Sequence, residues 1–445
     1  MENRQYYYHI ITFGCQMNKS DSERIETILQ NMGLSHTEEI SSADVVIINT
    51  CSVRDSAEIR IFGYAEKMRE YKEKNLEFVV CVTGCMPGRD KKNIQGRKMD
   101  WVDLYFPTKE MIHLPLWLYE LNPNLRKIES LEGDYLAIRP TVQKKYQTFV
   151  TIQTGCNHFC TYCVVPVARG LEINRPLRDI LDEVYAVVEN GALEITLLGQ
   201  IVNHYIAPDP ENFSKENPYT ESDFAKLLWE LNQIEGVKRI FWTASHPLYM
   251  TDEVIDALTL PKMANFLHLP VQSGNSEILQ KMNRKHTREF YLDILEKVRQ
   301  KKPDIAIGTD LIVGFCGETE EQFEDTLSLY DLCDFDISYN AQYSERSGTL
   351  AAKTMNDDIP KTQKKERWLI LQEKMKKIAF DKNQKYNDKR VEVLVEDFQK
   401  GWCIGNSREM KKVSFLGSPK MIGTLQYPKI YKAETWMLYG ELEQK

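Results

Sequence analysis

From the N-terminus, apolar runs of strand length alternate with amphipathic stretches of helical length, the pattern of a parallel sheet with helices packed on it. The runs are YYYHIITF (6–13), ADVVIINT (43–50) and LEFVVCVT (76–83), and SERIETILQNMG and SAEIRIFGYAEKMREYK are the helix-like stretches between them. This predicts a small α/β domain over residues 5–122. The polar stretch NPNLRKIESLEGDY reads as a linker, after which a second α/β series opens with YQTFVTIQ (146–153).

Six strand-like runs make up that series: 148–153, LEITLLG (193–199), KRIFWTA (238–244), NFLHLPV (265–271), IAIGTDLIVG (305–314) and FDISYNA (335–341). Six consecutive βα units predict an open, partial (βα)6 barrel over residues 142–378, with the chemistry held at strand ends on one rim. A basic helix runs from Pro360 to about Tyr386, and from 391 the chain turns to short alternating strands, VEVLVED, KKVSFLG, MIGTLQY and ETWMLYGEL. Residues 379–445 are therefore expected to form a small antiparallel β-barrel, closing an otherwise α/β chain.

Composition alters this picture little. The chain of 445 residues fits about three domains. It carries 57 Lys+Arg against 65 Asp+Glu, net −8, with 42% hydrophobic residues, a balance that excludes a disordered or fibrous protein. No uncharged apolar run approaches the roughly 20 residues a bilayer requires, and the opening MENRQYYYHI lacks the features of a signal peptide. A cytoplasmic protein without a membrane partner is expected. In a reducing compartment its ten cysteines point to metal ligation or catalysis rather than a disulfide framework.

Two sets of cysteines stand out. Cys156, Cys160 and Cys163 form C-x3-C-x2-C in QTGCNHFCTYC, directly after the first strand of the second series. Three thiolates on one short loop hold three irons of a [4Fe–4S] cubane and leave the fourth open to an outside ligand. A zinc loop is the alternative, with His158 the one nearby candidate for a fourth ligand. Cys15, Cys51 and Cys85 are 36 and 34 residues apart, but each directly follows a strand of the N-terminal domain, in ITFGC, INTC and VTGC. In a parallel sheet those ends lie along one edge, where sites of open α/β folds are built. Three buried structural cysteines are the alternative. Cys81, Cys316, Cys333 and Cys403 show no such pattern and read as packing.

With both sets in view, the chain resembles the methylthiotransferase family of radical S-adenosylmethionine (SAM) enzymes, and within it the MiaB type, from residue 6 to the C-terminus. The resemblance rests on TFGCQMNKSDSE (12–23), NTCSVRD (49–55), TGCMPGRD (83–90) and GCNHFCTYCVVPVARG (155–170), supported by LLGQIVN (197–203), TASHP (243–247), LHLPVQSG (267–274) and DLIVGFCGET (310–319). It implies two [4Fe–4S] clusters, a radical SAM cluster on Cys156, Cys160 and Cys163 and an auxiliary one on Cys15, Cys51 and Cys85. One SAM yields the 5′-deoxyadenosyl radical and a second donates a methyl group. The implied substrate is isopentenylated adenosine 37 in the anticodon loop of tRNA, methylthiolated at C2 by a monomer drawing on an external electron donor and a sulfur donor. The SAM-binding residues it implies are Tyr162, Gln200, His268, Gln272, Ser273, Asp310, Gly314 and Glu318. The chain departs from the family pattern at Ile201, Cys316 and Ser347, and Ile201 sits at a rim position that would read substrate.

The net charge does not advertise RNA binding, but between Lys361 and Arg390 there are 11 Lys+Arg against 4 Asp+Glu. The tail resembles a TRAM domain, a small RNA-binding module. Arg169, Lys364, Arg367, Trp402, Arg408, Lys411 and Lys412 are the expected RNA contacts, mixing cations with aromatic faces. Two competing functions remain at this point: methylthiolation of threonylcarbamoyladenosine or of a ribosomal-protein aspartate, and a non-catalytic iron–sulfur electron-transfer protein.

Overall fold

A computed structural model describes residues 4–52, 55–129, 133–142 and 144–443. Residues 53 and 54 of the CSVRD segment and 130–132 of the polar linker lie outside the described residues. The chain divides into two compact units where three domains are expected. The first comprises Met1–Gln143, Gln153–Asn157 and Cys163–Arg175, and the second Lys144–Ile152, His158–Tyr162 and Pro176–Lys445.

The first unit is built on five strands, β1 (Tyr7–Thr12), β2 (Ser35–His36), β3 (Val45–Thr50), β4 (Val79–Gly84) and β5 (Leu104–Tyr105), all parallel in the order β2-β1-β3-β4-β5. β3 and β4 are buried along their whole length, which is why they read as continuous apolar runs. Helix α1 (Gln16–Asn31) follows β1. The second helix-like stretch is broken at Gly63 into α2 (Asp55–Phe62) and α3 (Ala65–Lys74). A short α4 (Cys85–Arg89) follows β4, and α5 (Leu114–Leu121) closes the series. Two apolar clusters fill the two faces of the sheet, one around Tyr8, Ile25 and Leu29, the other around Ile48, Met68 and Trp101.

In the second unit β6 (Gln147–Thr151) begins the barrel series. Two short strands of the first unit, β7 (Gln153–Thr154) and β8 (Ile173–Asn174), flank α6 (Val165–Arg169) and pair antiparallel. Strands β9 (Glu194–Leu198), β10 (Arg239–Trp242), β11 (Phe266–His268), β12 (Ala306–Val313) and β13 (Ile337–Gln342) then follow. They form two three-stranded parallel sheets, β10-β9-β6 and β11-β12-β13, and a parallel bridge from Ile240 to Met263 connects them. The strands thus run in chain order, and β6 and β13 do not pair among the described residues, giving the open partial barrel that six βα units predict.

The tail has six strands rather than four: β14 (Val393–Gln399), β15 (Trp402–Ser407), β16 (Lys412–Leu416), β17 (Leu425–Gln426), β18 (Lys429–Ala433) and β19 (Leu438–Glu441). Their order is β17-β14-β15-β16-β19-β18, and one neighbouring pair, β16 and β19, is parallel. A bridge from Arg390 to Lys429 curls the sheet back on itself. The sheet belongs to the same unit as the barrel, and buried ionic contacts explain why. Arg239 pairs with Glu194 at 2.6 Å and donates to the Asn406 carbonyl at 3.0 Å. Asp336 takes Lys382 at 3.0 Å and Lys411 at 3.3 Å.

The long basic helix spans Lys361–Asn383. Its buried stripe is Lys364, Arg367, Leu371, Met375, Ala379 and Lys382, at the three- and four-residue spacing of one helical face. Two of the cations assigned to RNA therefore point inward. Lys364 donates to the Tyr343 carbonyl at 3.1 Å and pairs with Asp357. Arg367 grips Glu318 at 2.8 Å and Glu320 at 2.9 Å. Arg367→Ala strands the Glu318 carboxylate in the interior and should cost about 3–5 kcal/mol. Lys365→Ala, two residues away and exposed, should stay within about 0.5 kcal/mol, and urea unfolding of the two variants checks both.

Candidate functional site

Register places the first thiol set. Thr12 pairs with Asn49, and Asn49 with Thr83, so β1, β3 and β4 end together, and β3 lies between the other two. Cys51 is the first residue after β3 and Cys85 the first after β4. Cys15 arrives through Gly14, whose φ of +123° any side chain would strain and where an added Cβ would meet that of Cys51 at 2.7 Å. Gly84 does the same for Cys85: its φ is +102°, and a Cβ there would lie 2.3 Å from the Thr50 carbonyl. Cys15 is exposed while Cys51 and Cys85 are buried. Burial pushes the Cys85 thiol above its ordinary range, with Arg169 opposing and Cys15 and Asp21 adding to the rise.

A polar lattice that the sequence reading missed lies behind these thiols. Asn18 Nδ2 donates to Asn49 Oδ1 at 3.1 Å and to the Thr50 carbonyl at 3.0 Å, and its Oδ1 accepts from Cys15 N at 3.3 Å. Asn49 Nδ2 returns a bond to the Asn18 carbonyl at 2.8 Å, and Thr50 Oγ1 donates to the Thr83 carbonyl at 2.6 Å. The motif letters NKSDSE and INTC carry these roles, but nothing in the spacing of Asn18 and Asn49 announces that they meet.

Arg169 is a correction. Expected on RNA phosphate, it is buried, with its guanidinium 2.6 Å from Asp21 and facing Cys85. An Arg that water does not reach cannot serve as an exposed phosphate contact.

The second thiol set is carried on the loop after β6. Gly155, with φ +74°, lets the backbone press so close to Leu171 that an added Cβ would lie 2.0 Å from its carbonyl oxygen, and Cys156 N donates to the Gly170 carbonyl at 3.1 Å. Buried Arg284 directs Nη1 at the Cys160 sulfur, 3.7 Å away, while its Nη2 is held by the Pro270 carbonyl at 3.1 Å. A fixed guanidinium on a sulfur suits a thiolate ligand. His158 Nε2 bonds the Tyr249 hydroxyl at 2.7 Å, and its ring lies tilted 4.6 Å from that of His246. Among the described residues no three His, Cys, Asp or Glu side chains gather closely enough to hold a single metal ion. The thiolates of a cubane each take a different iron, so such a group does not call for three of them on one ion.

Around this loop the second unit assembles a ring cluster no sequence motif groups: His158, His204, His246, His286 and Tyr249, drawn from four distant segments. Burial and the nearby Arg284 keep His246 neutral and push His286 down to about 3. His246 Nδ1 accepts from Leu248 N, leaving Nε2 as a buried donor with no hydrogen-bond partner.

The expected SAM contacts lie at strand ends of the partial barrel. Tyr162 packs edge-on against Phe315. Gln200 has a buried Oε1 with no hydrogen-bond partner. His268 Nε2 stands 3.3 Å from Asp310 and edge-on to Tyr339. Gln272 adopts φ +78° beside Asp310, its N donating to the Asp310 carbonyl. Ser273 is fully buried, its Oγ 3.4 Å from that of Thr326. Gly314 turns at φ +69° and its N donates to Glu318 Oε2 at 2.6 Å. Glu318 uses Oε2 for both that turn and Arg367, while its Oε1 is buried with no hydrogen-bond partner. Burial raises its pKa, and the Gly314 N–H and Arg367 oppose the rise. Asn203 spends both ends of its amide on the His246 backbone, and Ile201 is buried core rather than a substrate-reading residue.

The other RNA assignments divide. Arg408 is bound to the carbonyls of Pro261 at 2.6 Å and Met263 at 2.8 Å, and Lys411 is sunk beside Asp336. Both are joints between the tail and the barrel rather than free cations. Trp402 is half-buried and Lys412 exposed. The exposed aromatics of the tail are Tyr427, Tyr431 and Trp436, which lie outside the strands the sequence pattern picked out or at their margins. Lys429 and Lys432 flank Tyr431 on β18, and the outer face of the basic helix carries Lys361, Lys365, Lys376 and Lys377. Among the described residues no helix is long and apolar enough to cross a membrane.

The family described as the radical SAM superfamily matches residues 150–330, and the one described as uncharacterized protein family UPF0004 matches residues 7–106. A tRNA-2-methylthio-N(6)-dimethylallyladenosine synthase of Thermoanaerobacter sp. (strain X514) is 42% identical over 99% of this chain and 93% of its own length. One of the same name from Clostridium botulinum (strain Okra / Type B1) is 40% identical over 98% and 96%. Among solved structures, the radical SAM methyltransferase TsrM from Kitasatospora setae matches with a TM-score of 0.54 at 12% identity, covering 78% of this chain and 77% of that one, a likeness of fold alone. Identity at this level across nearly the whole of both chains shows that the protein is an enzyme and belongs to the tRNA-2-methylthio-N(6)-dimethylallyladenosine synthase family within the radical SAM superfamily.

Proposed function

We propose that this enzyme methylthiolates C2 of N6-isopentenyladenosine at position 37 of tRNA in the cytoplasm, as a monomer, spending one SAM on radical generation and one as methyl donor and drawing on an external reductant and sulfur donor. The observation that carries this reading is the presence of two separate three-thiol sets, one beyond the ends of three parallel strands and one on the single loop after β7, in a chain whose relatives bear that name. When bound, a [4Fe–4S] cluster on Cys156, Cys160 and Cys163 with SAM at its open iron supplies hydrogen abstraction from an unreactive aromatic C–H, and one on Cys15, Cys51 and Cys85 supplies sulfur.

The chain's own residues have distinct tasks in this scheme. Arg284 steadies the Cys160 thiolate. Tyr162, Gln200, His268, Gln272 and Asp310 offer hydrogen-bonding and apolar surface to SAM at the barrel rim, while Arg367 and Glu318 hold the Gly314 turn in shape. The ring cluster around His158 and His246 walls the loop with aromatic surface, which suits a base extruded from its stack. On the tail, Tyr431 and Trp436 give exposed bases a stacking face and Lys412, Lys429 and Lys432 give phosphates their charge.

Incubating reconstituted protein with SAM, reductant, sulfide and tRNA bearing isopentenyladenosine 37, then analysing nucleosides by mass spectrometry, tests the reading. The 2-methylthio nucleoside is expected. Its absence under active SAM cleavage, or its appearance only on threonylcarbamoyladenosine tRNA, overturns the substrate. Cys→Ala at 156, 160 or 163 should abolish 5′-deoxyadenosine formation, whereas Cys→Ala at 15, 51 or 85 should spare it and stop the methylthiolated product. Tyr431→Ala and Trp436→Ala should each weaken tRNA binding by about 1–3 kcal/mol without changing tRNA-independent SAM cleavage, as read by fluorescence anisotropy beside product assays.

A further inference from the structure

Three strands of the partial barrel, β11, β12 and β13, begin beside a cleft of about 430 Å³ that no step of the proposed reaction uses. Asn265 precedes β11, Ala306 opens β12 and Asp336 precedes β13, and residues of the segment 385–392 with Arg408 and Glu409 of the tail complete the lining. All of it lies in the second unit. The Gly314 turn stands beyond the opposite end of β12, which is 8 residues long and so separates the two by about 23 Å. A cleft of this volume is the size of a small-molecule site.

Several of its charged groups are committed to holding the tail on the barrel. Arg299 Nη2 donates to the carbonyls of Cys333 at 2.6 Å and Asp334 at 3.0 Å, Lys382 pairs with Asp336, and Arg408 is bound to barrel carbonyls. The groups left over fall into two kinds. Lys385 and Lys389 are exposed at the mouth, and among the described residues neither has an ion-pair partner. The others are acceptors. Asn265 spends both amide hydrogens, on the Asp304 carbonyl at 3.1 Å and on Glu409 at 3.3 Å, which fixes its Oδ1 as an acceptor, and that oxygen is buried with no hydrogen-bond partner. Glu392 Oε1 is buried with no partner as well. The Asp304 carboxylate is exposed and has no ion-pair partner among the described residues. Half-buried Tyr386 stands among these groups, and burial with the carboxylates of Glu409, Asp336 and Asp304 keeps its hydroxyl protonated.

Buried acceptors left unmade are costly, and the ligand that satisfies this cleft carries an anion at one end and hydrogen-bond donors at the other. An inorganic anion leaves the acceptors unmade, and a polyamine is repelled by the lysines. A nucleotide has both ends: a phosphate for the two ammonium groups, and in cytosine, adenine or guanine an exocyclic amino group of the kind that Asp, Glu and Asn oxygens accept from. The ring of Tyr386 adds a stacking surface. Uracil has no amino group and turns carbonyl oxygens toward oxygens. We propose that this cleft binds a nucleotide with an amino-bearing base, free or within an RNA strand, its phosphate on Lys385 and Lys389 and its base amino group on the oxygens of Asn265, Glu392 and Asp304. The site goes beyond the methylthiolation reading and does not rest on it.

Isothermal titration calorimetry of the full chain tests this, with SAM in excess to fill the catalytic rim and with cytidine, guanosine and uridine 5′-monophosphates and ribose 5-phosphate as probes. Cytidine and guanosine monophosphates should bind saturably and about tenfold more tightly than the uridine compound or the base-free sugar. Lys385→Ala/Lys389→Ala, at exposed positions that leave the core intact, should weaken cytidine monophosphate about fivefold. Asp304→Ala should narrow the preference over uridine monophosphate and leave ribose 5-phosphate unchanged. Oligocytidylate separates the two sources: if the lysine variant weakens it as much as the mononucleotide or more, the cleft takes a nucleotide of RNA, and if the variant weakens the mononucleotide more, it takes a free one. Equal affinity for the uridine and cytidine compounds, no saturable heat with any of these ligands, or a lysine variant that binds as the wild type does overturns the proposal. None of these readouts depends on methylthiolation, so the failure of that reading and the failure of this one are seen separately.

Discussion

The thiol site of the first unit depends on strand register. Parallel neighbours lie about 4.8 Å apart, and pairing Thr12 with Asn49 and Asn49 with Thr83 brings three chain segments to an end side by side. A slip of one residue in any of them would send its cysteine to the opposite face. The glycines before Cys15 and Cys85 let the chain leave the sheet at angles other residues resist, and the Asn18–Asn49–Thr50 lattice ties the strand ends to helix α1. Chemistry there is a consequence of hydrogen-bond pairing further down the strands.

In the second unit buried cations do comparable work. Arg284 on Cys160, Arg367 on Glu318, Lys364 on Asp357, Arg239 on Glu194 and Lys411 on Asp336 all direct positive charge into the fold. Replacing such pairs by apolar residues is often neutral for stability, so their value lies in fixing geometry. They hold the Gly314 turn, the cysteine loop and the seat of the tail sheet in one arrangement. On the outer faces Lys412 and the outward lysines of the basic helix stay exposed, while Lys429 pairs with Asp388 at 3.4 Å and Lys432 with Glu434 at 2.5 Å.

Strands whose apolar runs are buried on both faces, such as β3, β4 and β9, were legible because their period is that of the interior. The strand-end placement of Cys51 and Cys85 was legible, since each stands one residue past such a run. Charge counting misled where phase was needed: Lys364 and Arg367 belong to the same helical stripe as Leu371 and Met375, and reading that stripe would have turned them inward. Arg169 misled for a different reason, because nothing local to VVPVARG reveals Asp21 or Cys85. β15 and β18 escaped notice since GWCIGNS and KIYKA mix polar residues with glycine and lysine. The ring cluster at His158 escaped because it exists only once four distant segments have folded together.

The proposed function requires the two thiol sets to be independent sites for the same kind of cluster. Iron and Mössbauer analysis of anaerobically reconstituted protein tests it most directly. About eight irons per wild-type chain are expected, all in cubane form, and about four when either cysteine triplet is replaced by alanine. Retention of all the iron after removing Cys15, Cys51 and Cys85, or loss of all of it after removing either triplet alone in a folded chain, would contradict it.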